Sequence, residues 1–276
     1  MMQRIGILTA YFAKSLFFSL TGLILLILSL IYWAVLFPPG QGTPDVENYV
    51  ILVGALGAAA TFMAALSISA RAGRMENYPL LVRLPSRVEY LAAVFLSSLI
   101  IGLVLQVLVA GLALIRGPEL TKAHLLAIPP LWLSVNILAG ILALHASDLV
   151  TAGWSRVIIF GLLAVLLLLN GVAASPDSWL AERMISLSDV FYRLNFTGLA
   201  DLASEAAGWS GGGMLVSLSR VSSLVFWPFR AMSDAVFAGG FTTSQALAPA
   251  VLMLYSAILF LTAALFFAGK DLEFIE

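Results

Sequence analysis

Four polar side chains without a full charge interrupt otherwise apolar stretches of this sequence: Gln106, Asn136, His145 and Asn170. A polar group within a long apolar run either lines a path for a polar solute or hydrogen-bonds to a neighbouring helix. The hydrogen-bonding role is the more ordinary one. The residue types alone leave both roles open, and we treat the four as candidates for a substrate path.

Two further groupings could support chemistry. His145 and Asp148 are three residues apart, which places them on one face of a helix as a proton-handling pair, or as a simple local ion pair or cap. Ser210, in a Trp-Ser-Gly-Gly run, has the setting of a protease nucleophile, but a serine needs a base within hydrogen-bond reach and both histidines lie far upstream. We therefore predict no catalytic site.

The composition excludes several other chemistries. There is no cysteine, and the two histidines lie far apart, so neither thiol catalysis nor a metal site is expected. The net charge of −1 makes nucleic acid an unsuitable partner. Gly269-Lys270 is followed by Asp271, so no phosphate-binding loop is present and we expect no cofactor in this chain.

The stretch from Arg71 to Tyr90 holds four arginines and two glutamates between two apolar runs. Four arginines would cost on the order of 10 kcal/mol at the centre of a bilayer, so this stretch must lie outside it. Leu80, Leu81 and Leu84 form a short apolar stripe beside an arginine-rich edge. That pattern favours a short helix that docks a partner protein, whereas the simpler interpretation is an ordinary connecting loop.

The end of this stretch carries a stop and a start signal. Pro85 disfavours helical geometry at the residue before it, and Ser86 can cap the helix that follows. Glu89 stands three residues after Ser86, so the spacing predicts a capping box at the start of the next helix.

The same stretch resembles the cytoplasmic coupling region of ABC-2 type transporter permeases. The matching positions are an acidic residue, a leucine pair, a Leu-Pro-Ser turn and a basic-x-Glu triplet: Glu76, Leu80, Leu81, Leu84, Pro85, Ser86, Arg87, Val88 and Glu89. One departure is Asn77-Tyr78, which stands where the family commonly has Gly-Thr. The run from Trp227 to Gly240 and the basic-acidic pair Lys270-Asp271 are also similar to the family's outer helices and tail.

The resemblance implies a permease subunit that pairs with a second permease subunit and binds two ABC ATPase subunits, which hold the ATP and Mg²⁺. An exporter of the prokaryotic plasma membrane is the expected form. The residues implied in ATPase coupling are Glu76, Leu80, Leu81, Arg83, Leu84, Pro85, Ser86, Arg87 and Glu89. The alternative is a polytopic membrane enzyme or assembly subunit without transport.

The elements that position these residues are apolar blocks. The chain is 61% hydrophobic and only 11% charged, and its apolar residues recur in blocks of about 20, the length that crosses a bilayer. We predict an all-α integral membrane protein of one domain with an interfacial helix at 1–15, a coupling segment at 71–89 and an outer segment at 175–245. Six spans are predicted at 16–37, 49–70, 90–115, 125–147, 156–174 and 246–268.

The distribution of Lys and Arg predicts the orientation. With the N-terminus inside, the inner segments hold Arg4, Lys14, Arg71, Arg74, Arg83, Arg87, Arg156 and Lys270. The short outer loops hold only Arg116 and Lys122. Because positive residues concentrate on the cytoplasmic side, both termini are expected in the cytoplasm.

The segment 175–245 mixes charges with short apolar runs and contains four residues typical of the headgroup level: Trp179, Tyr192, Trp209 and Trp227. We predict short amphipathic or re-entrant helices, interrupted at the glycines 211–213. The alternative is a seventh span across 215–237, in which Arg220, Arg230 and Asp234 would each cost about 2.5–3.5 kcal/mol at the centre.

Overall fold

The computed structural model describes residues 2–38, 45–115, 117–150, 160–161, 164, 179–194, 196–198, 200–201, 204, 214–238, 242 and 245–269. These residues are almost entirely helical. In chain order the helices are α1 Met2–Phe17, α2 Leu20–Leu36, α3 Val46–Ala72, α4 Tyr78–Val82, α5 Arg87–Leu114, α6 Lys122–Ala146, α7 Trp179–Arg193, α8 Met214–Phe237 and α9 Ala248–Gly269. Short 3₁₀ turns cover Met75–Asn77 and Gln245–Leu247.

Among the described residues, four helices are long and apolar enough to cross a membrane: α3, α5, α6 and the stretch Gln245–Gly269 that includes α9. The pair α1 and α2 meets the same criteria together, although the two helices are bent by 70°. The all-helical class is therefore confirmed, and the part of the chain that the structure describes holds four candidate spans, or five if the bent pair is one. The predicted span at 156–174 lies almost wholly outside the described residues, as does Asn170.

The chain divides into two compact units, 1–156 with 231–276 and 157–230. In the first unit α3 packs on α5 and α6, α1 packs on α5, and α9 packs on α6 and α5. The apolar stripe of α1, which includes Phe12 and Leu16, is buried in the same cluster as Leu91 of α5 and Phe267 of α9. A second cluster surrounds Val53 of α3.

The boundary between the first two helices differs from the predicted one at 15–16. The break lies at residues 18–19, where Ser19 adopts an extended conformation and its hydroxyl accepts a hydrogen bond from the Gly22 amide at 3.3 Å. Serine is a preferred residue at this position because its side chain satisfies an amide that the helix leaves unpaired. Gly22 also suits the bend, since a β-carbon there would collide with the carbonyl oxygen of Leu16.

Helix α8 corrects the expectation of short helices after residue 213. Its 24 residues run from Met214 to Phe237, through Pro228, as one helix. Its C-terminal half has a buried stripe, Ala231, Met232, Ala235 and Val236, whereas Arg230 and Asp234 are exposed. Because Arg230 and Asp234 lie on the exposed face of α8, they do not oppose formation of this helix. The extent matches the alternative at 215–237, but α8 is not among the candidate spans of the described residues.

In the second unit, α7 has the amphipathic character predicted for this region. Ser188 is buried and its hydroxyl donates to the Ala200 carbonyl at 2.9 Å. Tyr192 is exposed and donates to the Asp201 carboxylate at 2.8 Å, a contact that raises the pKa of the Tyr192 phenol. These two bonds join α7 to the short helical stretch after it.

Candidate functional site

The 71–89 segment is a compact connection and not a free loop. The end of α3 leads into the 3₁₀ turn Met75–Asn77, then into the five-residue helix α4, and a turn at residues 83–86 leads to α5. Ser86 caps α5, because its hydroxyl accepts a hydrogen bond from the Val88 amide at 3.2 Å. The predicted cap is therefore present.

The leucines of this segment face the chain's own core. Leu81 is only 6% exposed, and Leu80 and Leu84 are half-buried against the cluster that includes Phe12 of α1 and Leu91 of α5. The prediction that these leucines form an exposed docking face is therefore wrong. These leucines belong to a cluster shared by several helices, including α1, which the local pattern could not show.

A different set of residues is exposed. Met75 is 51% and Val82 is 62% exposed, and Arg83 lies beside Val82 at the end of α4. The other exposed members of the segment are Arg74, Glu76, Pro79, Pro85 and Arg87. Met75 follows Arg74 and Val82 precedes Arg83, so each exposed apolar side chain stands beside a positive charge, a combination that suits a partner face that is apolar and acidic.

Arg71 connects this segment to the bend between α1 and α2. Its guanidinium donates to the Ser15 carbonyl at 2.8 Å, to the Ser19 hydroxyl at 2.7 Å and to the Thr21 hydroxyl at 3.2 Å. The carbonyl of Arg71 in turn accepts from the Asn77 side-chain amide at 2.8 Å. A planar group with several fixed donors is suited to hold two helix ends at a set angle.

Tyr90 connects the end of α3 to α1 and to α9. Its hydroxyl donates to the Ala72 carbonyl at 2.8 Å, and its ring lies edge-on to Phe12 and stacks on Phe267. Arg87 donates to the Ala268 carbonyl at 3.2 Å. We call α1, its bend with α2, the 71–89 segment and the end of α9 the α1 junction.

Glu89 has a different role from the predicted one. Only 4% of it is exposed, and its carboxylate turns toward α1, where Arg4 lies 3.6 Å away. It does not return to the Ser86 amide, and the Ser86 hydroxyl accepts from Val88 rather than from the Glu89 amide, so a serine cap is present but the predicted capping box is not. Packing of α1 on α5 offered the carboxylate a cationic partner, which a local motif does not include.

Gln106 and Asn136 meet in the middle of the candidate spans. The Asn136 amide donates to the Gln106 side-chain oxygen, and the Gln106 amide donates to the Val53 carbonyl of α3 at 3.2 Å. Both residues are almost fully buried, so α3, α5 and α6 are joined by hydrogen bonds at this level. This placement favours the interhelical role over a wide substrate path.

Small residues allow α3, α5 and α6 to come close together at this level. A β-carbon on Gly57 would overlap the Gln106 amide, and one on Gly102 would overlap Thr61. Both overlaps follow from helix axes that come closer than side chains normally permit. We call Gly57, Thr61, Gly102, Gln106 and Asn136 the polar seam.

His145 is fully buried and donates from Nε2 to the Leu259 carbonyl of α9 at 2.9 Å, since a carbonyl can only accept. Helix α6 ends at Ala146, so Asp148 lies beyond it and the expected shared helix face is wrong. Ser210, Lys270 and Asp271 lie outside the described residues. Within the described ranges, no three His, Asp or Glu side chains gather in a group that could hold a metal ion.

Sequence reasoning missed Arg71 as the residue that holds the bend, and Tyr90 as the centre of an aromatic contact. The signal for Arg71 was its position in the last turn of a span, but no sequence pattern linked it to Ser19. Comparison with protein-family models, with curated proteins and with solved structures found no match for this chain.

Proposed function

We propose that this chain is the membrane-spanning permease subunit of an ATP-driven ABC transporter, an exporter, that pairs with a second permease subunit. In this proposal separate ATPase subunits bind the 71–89 segment from the cytoplasm, and their closure moves the spans. The observation that supports it is the exposure of Met75, Val82 and Arg83 in a segment that hydrogen bonds connect to the candidate spans.

The mechanical argument rests on the contacts of the α1 junction. A push on α4 reaches the α1–α2 bend through Asn77 and Arg71, and it reaches α5 and α9 through Tyr90 and Arg87. A segment held by several helices moves them together, because packed cores shift as rigid bodies and do not deform continuously. The sequence resemblance supplies the identity of the partner.

The test is purification of the tagged full-length chain from its native membrane, with identification of the ATPase that stays bound. We expect Val82→Asp and Arg83→Glu each to lower the bound ATPase by about 30-fold or more, which corresponds to the loss of one strong contact residue. Matched controls are Ile115→Asp and Lys122→Glu. Both positions are exposed, and they lie just after the end of α5 and at the start of α6, away from the 71–89 segment in the chain.

Leu81→Asp is not a suitable probe, because that side chain belongs to the core. Absence of any ABC ATPase from the wild-type complex would contradict the proposal and would favour the enzyme or assembly subunit. So would labelling of a cysteine at position 82 from outside intact cells, since a segment on the outer face cannot contact a cytoplasmic ATPase.

A further inference from the structure

The 70° bend between α1 and α2 leaves a groove against α5. Its volume is about 400 Å³, within the range of small-molecule sites. The walls are apolar and come from both sides, with Phe17 and Leu26 on the bent pair and Ile101 and Val104 on α5.

Lys14 is the one charged residue that lines the groove. Its side chain is exposed, and among the described residues it forms no ion pair. Arg71 adds a second positive charge at the same bend, and it too has hydroxyl and carbonyl partners but no carboxylate among the described residues. The lining of this apolar groove therefore carries one positive charge without a carboxylate partner among the described residues, at Lys14.

These features together select the class of ligand. A polypeptide segment in this groove would leave its backbone amides and carbonyls without partners, since Lys14 is the sole polar side chain of the lining apart from backbone groups. An acyl chain needs no such partners, and an anionic headgroup complements the ammonium. A zwitterionic lipid offers the chain without the net charge.

We propose that this groove binds one anionic membrane lipid, with an acyl chain between α2 and α5 and the phosphate of the headgroup at Lys14. The proposal does not depend on the transport function. It agrees with the orientation expected from the sequence, since the cytoplasmic leaflet is the one that carries anionic lipid beside basic side chains.

The test uses the delipidated full-length protein in detergent, titrated with phosphatidylglycerol and with phosphatidylcholine of the same acyl chains. Bound lipids are counted by native mass spectrometry, and thermal unfolding is followed in parallel. For the wild type we expect roughly five-fold tighter binding of phosphatidylglycerol, the effect of about one cation at a membrane surface.

Two kinds of variant distinguish binding of the lipid headgroup from binding of the acyl chain. Lys14→Gln should remove the preference and leave phosphatidylcholine binding unchanged, whereas Val104→Trp should weaken both lipids by filling the groove. The matched controls are Lys122→Gln and Val107→Trp, which are exposed on α6 and α5 but do not line the groove. If Val104→Trp fails to fold, Leu23→Trp fills the same groove from α2.

Equal binding of the two lipids to the wild type would overturn the proposal. It would also fail if Lys14→Gln kept the preference, or if both groove-filling variants bound lipid as well as Val107→Trp does. Stabilisation by inorganic phosphate equal to that by phosphatidylglycerol would exclude the acyl chain from the site and refute the lipid assignment.

Discussion

The α1 junction and the polar seam place polar groups inside the same helical unit by different means. In the junction, the long side chains of Arg71 and Arg87 reach carbonyls and hydroxyls of other helices while remaining partly in contact with water. In the seam, the short neutral amides of Gln106 and Asn136 meet across helices that glycines allow to come close. The contrast indicates that charge is kept where water can complete its hydrogen bonds, and that mid-span contacts depend on close packing.

Overpacking the polar seam should have the largest effect. Gly102→Ala places a β-carbon against Thr61, including its backbone, so α3 and α5 must separate. We expect a loss of about 1–3 kcal/mol in the free energy of unfolding, measured in detergent by denaturant or heat. Gly111→Ala on the same helix meets nothing within 4 Å and should be neutral or slightly stabilising. Equal behaviour of the two variants would show that close approach does not distinguish the seam.

Replacement of Arg71 should have the second-largest effect. Arg71→Lys keeps the charge but cannot bond Ser15, Ser19 and Thr21 at once, so we expect a loss of about 1 kcal/mol and a wider spread of α1–α2 distances. Spin labels at the exposed Ile7 and Val35 report that distance. Arg74→Lys serves as the control because Arg74 is exposed. An unchanged distance distribution in Arg71→Lys would show that the bend is held by packing alone.

The Gln106–Asn136 bond should have a smaller effect. In a double-mutant cycle with Gln106→Leu and Asn136→Leu, we expect a coupling energy of about 0.6 kcal/mol and no more than about 1.7. A parallel cycle that pairs Gln106→Leu with Ser134→Ala should show no coupling, since the Ser134 hydroxyl donates to the Leu131 carbonyl and to Met232 Sδ and not to Gln106. Zero coupling in the first cycle would assign the seam to packing rather than to hydrogen bonding.

The Arg4–Glu89 pair should have the smallest effect. The Arg4 guanidinium is half exposed and lies 3.6 Å from the buried Glu89 carboxylate, which is beyond hydrogen-bond distance. Arg4→Lys keeps the positive charge beside that carboxylate, so it should destabilise the protein by at most about 0.5 kcal/mol. Lys122→Arg, at an exposed position of α6, provides the comparison. A loss well above 1 kcal/mol would place this pair among the strong contacts of the junction.

Much of the local structure could be predicted from the chain. The apolar blocks at 49–70, 90–115, 125–147 and 246–268 each lie within or largely overlap a helix, because a run of about 20 apolar residues outside water must satisfy its backbone internally. The cap at Ser86 could also be predicted, since a cap depends only on residues a few positions apart.

The roles of the candidate site residues were harder to predict. Leu80, Leu81 and Leu84 were expected to face a partner protein, and Glu89 was expected to complete a cap. The leucines instead pack in the core cluster that includes α1 residues, and Glu89 lies beside Arg4 of α1, a helix about 70 residues away along the chain. A local pattern describes which face of a helix is apolar, but it does not describe which surface that face meets.

The sequence by itself determined that this chain is helical, largely apolar and charged at a few positions between its apolar runs, because composition and block length settle how a backbone is satisfied away from water. Only the tertiary structure decided that the leucines of the 71–89 segment are core, that Arg71 sets the α1–α2 bend and that Gln106 meets Asn136. Those outcomes depend on which helices are neighbours and how closely they approach, and both are set by packing over the whole unit.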